Sequence, residues 1–106
     1  MLRRGYLYWG ALDKRRPVLV VSSDRFNARS GYVTVVPGTT RLRPLVTHVL
    51  LRRGEGGVTH STMLLGEHLQ ELHGEDLAPD PLGPPLGRAK MDEVEAALRL
   101  YLDLEK

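Results

Sequence analysis

Up to about residue 73, short apolar runs alternate with clusters of turn-forming residues; a proline-rich stretch follows, and the period then becomes helical. Residues 5–12, GYLYWGAL, predict a first strand with Leu7, Trp9 and Ala11 on one face and Tyr6, Tyr8 and Leu12 on the other. Residues 16–22 predict a second strand, whose continuous run Val18–Val21 fits burial on both sides. Pro17 disfavours helical backbone at the residue before it, so Arg16 is expected in an extended conformation at the strand mouth. Ser23 and Asp24 are N-cap formers and predict a turn of helix before Ser30-Gly31. Further strands are expected at Tyr32–Val36, closed by Pro37-Gly38, and at residues 45–51, 58–65 and 67–72.

Residues 74–87 carry Pro79, Pro81, Pro84 and Pro85, which argue for a loop or an irregular edge. From Arg88 to Glu105 the apolar positions Met91, Val94, Leu98, Tyr101 and Leu102 make one helical stripe. Leu100 and Leu104 fall off it, to contact a partner or pack on the sheet rim. No internal repeat is visible. The expected architecture is α+β and mainly β: a small barrel-like domain spanning residues 1–106, with a C-terminal helix.

Composition narrows the function more than the fold. The 106 residues can bury a core without staples. Without cysteine there is no disulfide, no thiol nucleophile and no cysteine-ligated zinc, which is compatible with a cytoplasmic protein. No apolar run approaches the roughly 18 residues of a membrane span, and the N-terminus does not have the form of a signal peptide. Charge is divided along the chain. Residues 1–53 hold eleven Lys and Arg against two Asp, a balance of +9, and residues 54–106 a balance of −7. Twelve of the fifteen cations are arginine, suited to bidentate phosphate contacts. Such asymmetry points to a polyanion on one surface.

The histidines, at 48, 60, 68 and 73, show no zinc-binding spacing, and no phosphate-binding glycine loop or serine-hydrolase elbow is present. His48 and His60 suggest a two-histidine ribonuclease, but a lone histidine in a strand is more often structural. Tyr6 and Tyr8 can stack on bases or simply pack. The more persuasive set is Arg16 with Thr39 and Thr40. RNA can be cut by its own 2′-hydroxyl attacking the adjacent phosphate, a reaction that needs no metal and no protein nucleophile. It needs the phosphate oxygens neutralised, which a fixed guanidinium does with paired donors. A strand-end hydroxyl can hold a phosphate oxygen in place.

The stretches RRGYLYWGAL, RRPVLVVSSDRFNA, VTVVPGTT and THVLL, in this order and spacing, resemble the MazF/PemK (Kid-like) toxins of bacterial toxin–antitoxin pairs, and MDEVEAALRLYLDL is similar to their closing helix. The resemblance implies an SH3-like barrel with a C-terminal helix, usually a homodimer in the cytoplasm. It implies cofactor-free, metal-independent cleavage of single-stranded RNA, leaving a 2′,3′-cyclic phosphate and a 5′-hydroxyl. It also implies an antitoxin whose acidic tail occupies the same groove.

The active-site arginine and threonine of those toxins fall on Arg16 and Thr39, and Glu67 stands for the aspartate proposed as base in one branch. Arg15, Thr40, Arg41 and Arg43 are then expected to track the RNA. Two departures bear on the groove: Asp13-Lys14-Arg15 replaces a longer loop that closes over RNA, and Gln70 replaces an arginine. The shortened loop leaves a second reading, a non-catalytic barrel that binds nucleic acid or protein, and the resemblance a third, a topoisomerase poison of similar fold acting by protein contact.

Overall fold

A computed structural model describes residues 1–104. Six strands, β1 (Leu7–Ala11), β2 (Arg15–Val20), β3 (Tyr32–Thr39), β4 (His48–Leu51), β5 (Thr62–Leu65) and β6 (Gln70–His73), accompany helices α1 (Asp24–Ser30) and α2 (Arg88–Leu102). All pairings are antiparallel. The strands run in the order β1-β2-β3-β5-β4, and β6 pairs with the first half of β3. The domain is therefore α+β and mainly β, as expected. The barrel is partly open, because β1 and β4 end the hydrogen-bonded path without pairing to each other.

Several boundaries differ from the sequence reading. Pro37-Gly38 does not close β3 but lies inside it, where Pro37 pairs with Val18 and Gly38 with Leu64. A Cβ on Gly38 would lie 2.7 Å from Thr62 Cγ2, so the bend that passes β3 from one partner to the next requires glycine. The strand expected at 58–65 shortens to Thr62–Leu65, and the one at 45–51 begins at His48. Gly66–His68 form a short 3-10 turn, so the last strand starts at Gln70. α1 is longer than one turn, and its cap Ser23 accepts from the Phe26 N–H at 3.2 Å. α2 ends at Leu102, with Asp103 in left-handed conformation; Glu105, expected in the helix, lies outside the described residues.

Both faces of the β1–β3 layer are covered, which is why Val18–Val21 shows no alternation. On one face Leu7, Leu19 and Val36 pack with Leu51, Leu64 and the helix residues Met91, Val94 and Ala97. On the other, Tyr8, Val18, Val20, Val33 and Val35 pack with Leu77. The predicted stripe of α2 is only half used: Tyr101 and Leu102 remain exposed, as do Leu100 and Leu104, so none of the four packs on the rim. Tyr8 packs and does not stack on bases; it is 1% exposed and its hydroxyl accepts from the Arg3 N–H at 3.0 Å.

The proline-rich segment is a strap along the outer edge of β1. Ala78 N donates to Trp9 O at 2.8 Å, Leu82 N to Leu7 O at 2.8 Å and Leu86 N to Gly5 O at 2.9 Å. The prolines fall between these donors, so the segment satisfies an edge that would otherwise be free while lacking the donors to extend the sheet further. The turn at Gly56-Gly57 backs directly onto it, leaving no room at Gly57 for a Cβ, which would lie 2.4 Å from the Leu82 carbonyl carbon and oxygen.

Candidate active site

β2 begins at Arg15, so Arg16 sits at the strand mouth in extended backbone, opposite Gly10 of β1. The connection Leu12–Lys14 is so tight that Asp13 reaches back to it. Arg16 Nε donates to Asp13 Oδ1 at 2.9 Å and Nη2 to Oδ2 at 3.0 Å, a bidentate pair. The Arg16 hydrogen bond holds the Asp13 carboxyl well below the usual carboxylate range, and the Asp13 hydrogen bond raises Arg16 above its ordinary value. The guanidinium is thereby fixed, with its Nη1 edge left unused by Asp13.

At the end of β3, Thr39 Oγ1 accepts from the Arg41 N–H at 3.2 Å. With the oxygen serving as acceptor, the hydroxyl proton is available to point outward. Arg16, Thr39, Thr40 and Lys14 together form a wall shared by two cavities, of about 660 Å³ and about 490 Å³. The larger is bounded by Trp9, His60, Pro79, Asp80, Pro81 and Leu82. The smaller is bounded by Arg41, Arg43, His48, Glu67 and His68. Arg15 lines the larger cavity, its guanidinium carbon 4.8 Å from the centroid of the Trp9 ring.

All seven residues singled out from the sequence thus line one or other of two adjoining cavities. Gln70 lines neither and turns its amide to His68 O at 3.3 Å. Sequence reasoning missed Asp13, read only as part of the short first loop, and took the histidines as structural. The one available signal was Asp13 lying three residues before Arg16 across a turn too short for the two side chains to part.

Glu67 is firmly engaged. Thr47 Oγ1 donates to Oε1 at 2.7 Å, and His48 Nε2 lies 2.8 Å from Oε2. The other ring nitrogen, Nδ1, is 2.6 Å from Arg43 O, so the buried imidazole, its side chain 4% exposed, ties the loop before β4 to the turn after β5. Burial pushes the Glu67 carboxyl up, but the hydrogen bonds from His48 and Thr47 outweigh it and lower the pKa from 4.5 to about 2. A carboxylate that weakly basic accepts protons poorly at neutral pH.

The same shift has a consequence for stability. Its folded-state pKa lies below the unfolded value, so ionised Glu67 stabilises the fold fully above about pH 4.5, and that contribution disappears as pH falls through about 2. Glu67→Gln is expected to melt below wild type near neutral pH, with the gap closing between about pH 4.5 and 2. Asp13 is depressed in both proteins and cancels in the comparison. Thermal melts across that range check it, and a constant gap would rule out the linkage.

Residues 3–102 match the model of a family described as the PemK-like, MazF-like toxins of type II toxin–antitoxin systems. The chain is 31% identical over 121 residues to endoribonuclease MazF9 of Mycobacterium tuberculosis (strain ATCC 25618 / H37Rv), with 98% of each chain covered. Its fold is similar to a mycobacterial endoribonuclease solved in complex with its cognate antitoxin, at TM-score 0.87, 26% identity and coverage of 100% and 99% of the two chains. It is also similar to the MazE–MazF complex of Deinococcus radiodurans, at TM-score 0.81, 26% identity and coverage of 95% and 94%.

Proposed function

This chain belongs to the PemK-like, MazF-like toxins of type II toxin–antitoxin systems and is an endoribonuclease of that family, and on that premise we propose that it cuts single-stranded RNA at the wall between its two cavities. The observation that carries the proposal is the bidentate anchoring of Arg16 in a cavity wall it shares with Thr39, whose hydroxyl oxygen accepts from the Arg41 N–H. In this reading the scissile phosphate lies against Arg16, and Thr39 donates to one of its non-bridging oxygens. As the substrate's 2′-oxygen attacks phosphorus its proton passes to water, the bond from phosphorus to the 5′-oxygen breaks, and the departing oxygen takes up a proton from water, so the products are a 2′,3′-cyclic phosphate and a 5′-hydroxyl.

Charge gathers on the equatorial oxygens as the bond changes occur, and the fixed guanidinium stabilises that charge without having to reorganise. The cation also lies near the departing 5′-oxygen and assists delivery of its proton. Glu67, assigned above as a possible base, is better suited to holding His48 and Thr47, and through His48 the loop that carries Arg41 and Arg43. Those two arginines, with Arg15 and Thr40, line the path of the backbone on either side of the cut.

Relatives have been solved in complex with antitoxins, and in the proposed reading this chain has a cognate antitoxin whose acidic segment competes with RNA for the cationic groove. The exposed apolar residues at the end of α2 offer a surface for a second copy of the chain. Among the described residues no helix is long and apolar enough to cross a membrane, and the proposed setting is the cytoplasm. Purified protein incubated with a long RNA in EDTA is expected to yield fragments ending in cyclic phosphate and 5′-hydroxyl. Intact RNA across a wide range of protein concentration would overturn the proposal in favour of a binding role.

A further inference from the structure

The larger cavity differs in chemistry from the wall that holds the phosphate. Trp9, Pro79, Pro81 and Leu82 give it flat apolar sides. Trp9 is 36% exposed although it shares a strand face with the fully buried Leu7, because it lies past the end of the helix-covered core. The strap contributes one acidic group, Asp80, which is exposed and has no ion-pair or hydrogen-bond partner among the described residues. Among the charged side chains lining this cavity Lys14, Arg15 and Arg16 are cationic, and Asp80 is the one carboxylate not already paired with an arginine. A phosphate would avoid it. A neutral planar ligand with hydrogen-bond donors on its edge would not.

From this juxtaposition we infer that the larger cavity is the subsite for one nucleobase flanking the scissile phosphate, and that Asp80 selects guanine there. The inference rests on the endoribonuclease reading and names the recognition chemistry of the same site. A base in single-stranded RNA presents its Watson–Crick edge freely and stacks on aromatic or guanidinium planes. Trp9, with Arg15 already against its ring, provides the stacking surface. Guanine alone carries two adjacent donors on that edge, N1–H and the N2 amino group, which a carboxylate accepts in parallel. Adenine and cytosine each offer one amino group beside an acceptor that the carboxylate repels, and uracil's single N–H lies between two carbonyls.

The strap thus supplies the selective wall that the shortened first loop cannot. Asp80 sits between Pro79 and Pro81, and the backbone on either side is tied to β1 by the Ala78 and Leu82 hydrogen bonds, so the carboxylate is carried on a stiff, anchored element.

The test is to map 5′-hydroxyl ends after digesting one long RNA of known sequence in EDTA with wild type, Asp80→Ala and Asp80→Asn. Wild type is expected to favour guanine at one fixed nucleotide beside the cut by about 10-fold or more. Both variants should bring guanine steps down to the rate of the others. Trp9→Leu should raise KM by about 10-fold for all sequences, through lost stacking. Wild-type cutting with no guanine preference at either flanking nucleotide, or an unaltered cleavage profile in Asp80→Ala, overturns the subsite and leaves the endoribonuclease reading standing.

If wild type cuts nothing, that reading fails and the subsite is judged by binding alone. Guanine-containing oligoribonucleotides should then quench the single tryptophan at least about 10-fold more tightly than guanine-free ones, in wild type and not in Asp80→Ala. Equal quenching overturns the subsite as well.

Discussion

Arg16→Ala is expected to slow RNA cleavage by roughly 10²–10³-fold, the loss seen when one preorganised donor to a developing oxyanion is removed. The fold should survive. The guanidinium's hydrogen-bonding partner is Asp13, whose side chain is 66% exposed, so truncation strands no buried polar group. Arg16→Lys should fall close to alanine, since an ammonium cannot reproduce the paired Nε and Nη2 geometry that fixes the charge. Circular dichroism and a melting curve establish the fold, and single-turnover cleavage of an oligoribonucleotide measures the rate. Expression of the variant should also relieve growth toxicity. Cleavage at the wild-type rate would remove Arg16 from the chemistry.

The largest effect on stability is expected at Gly57. Its φ is +94°, and an added Cβ would lie 2.4 Å from the Leu82 carbonyl group and 2.6 Å from Gly83 N. Alanine therefore brings backbone strain of about 1–2 kcal/mol and forces the strap away from the turn, a further 1–3 kcal/mol by the usual cost of overpacking. Gly57→Ala should lower Tm on the order of 10–20 °C in a chain of this size.

Gly54→Ala is the matched control. Its φ is +98°, but a Cβ there meets nothing within 4 Å, so it carries only the strain. Equal melting temperatures for the two variants would show that the strap is not braced by this turn. Because the strap forms one side of the larger cavity, Gly57→Ala should also blur cleavage preference at temperatures where the protein remains folded.

The elements most visible in the sequence were those whose signals are local. Pro17 placed Arg16 in extended backbone, Ser23 capped α1, and the period of Met91 and Val94 announced α2. What escaped was set by partners distant in the chain. Pro37-Gly38 looked like the end of a strand because turn propensity is local, whereas the handover of β3 from β2 to β5 is tertiary. Trp9 was grouped with Leu7 by alternation, and alternation does not tell where the covering helix stops.

The same limit applied to chemistry. Arg16 was readable because Pro17 fixes it at a strand mouth, and Thr39 because it follows Pro37-Gly38 in a stretch, VTVVPGTT, that resembles the toxins. His48 and His60 were set aside because nothing in their spacing shows that the folded sheet brings both to the cavities beside Arg16. Asp80 was hidden among prolines, in a segment whose only legible property was irregularity.

The Asp13–Arg16 pair carries a consequence for how the protein behaves between encounters with RNA. A bare guanidinium at a groove mouth would collect whatever small anion the cell supplies in excess. Here the charge arrives with its own tethered counter-ion, held at 2.9 and 3.0 Å. A free phosphate or carboxylate must compete with a group already in place, whereas an RNA strand bound as proposed would meet Arg41, Arg43 and Lys14, which line the same cavity, at the same time. The expected consequence is weak binding of simple anions by the resting protein, with the arginine drawn into use by a ligand long enough to bridge both cavities.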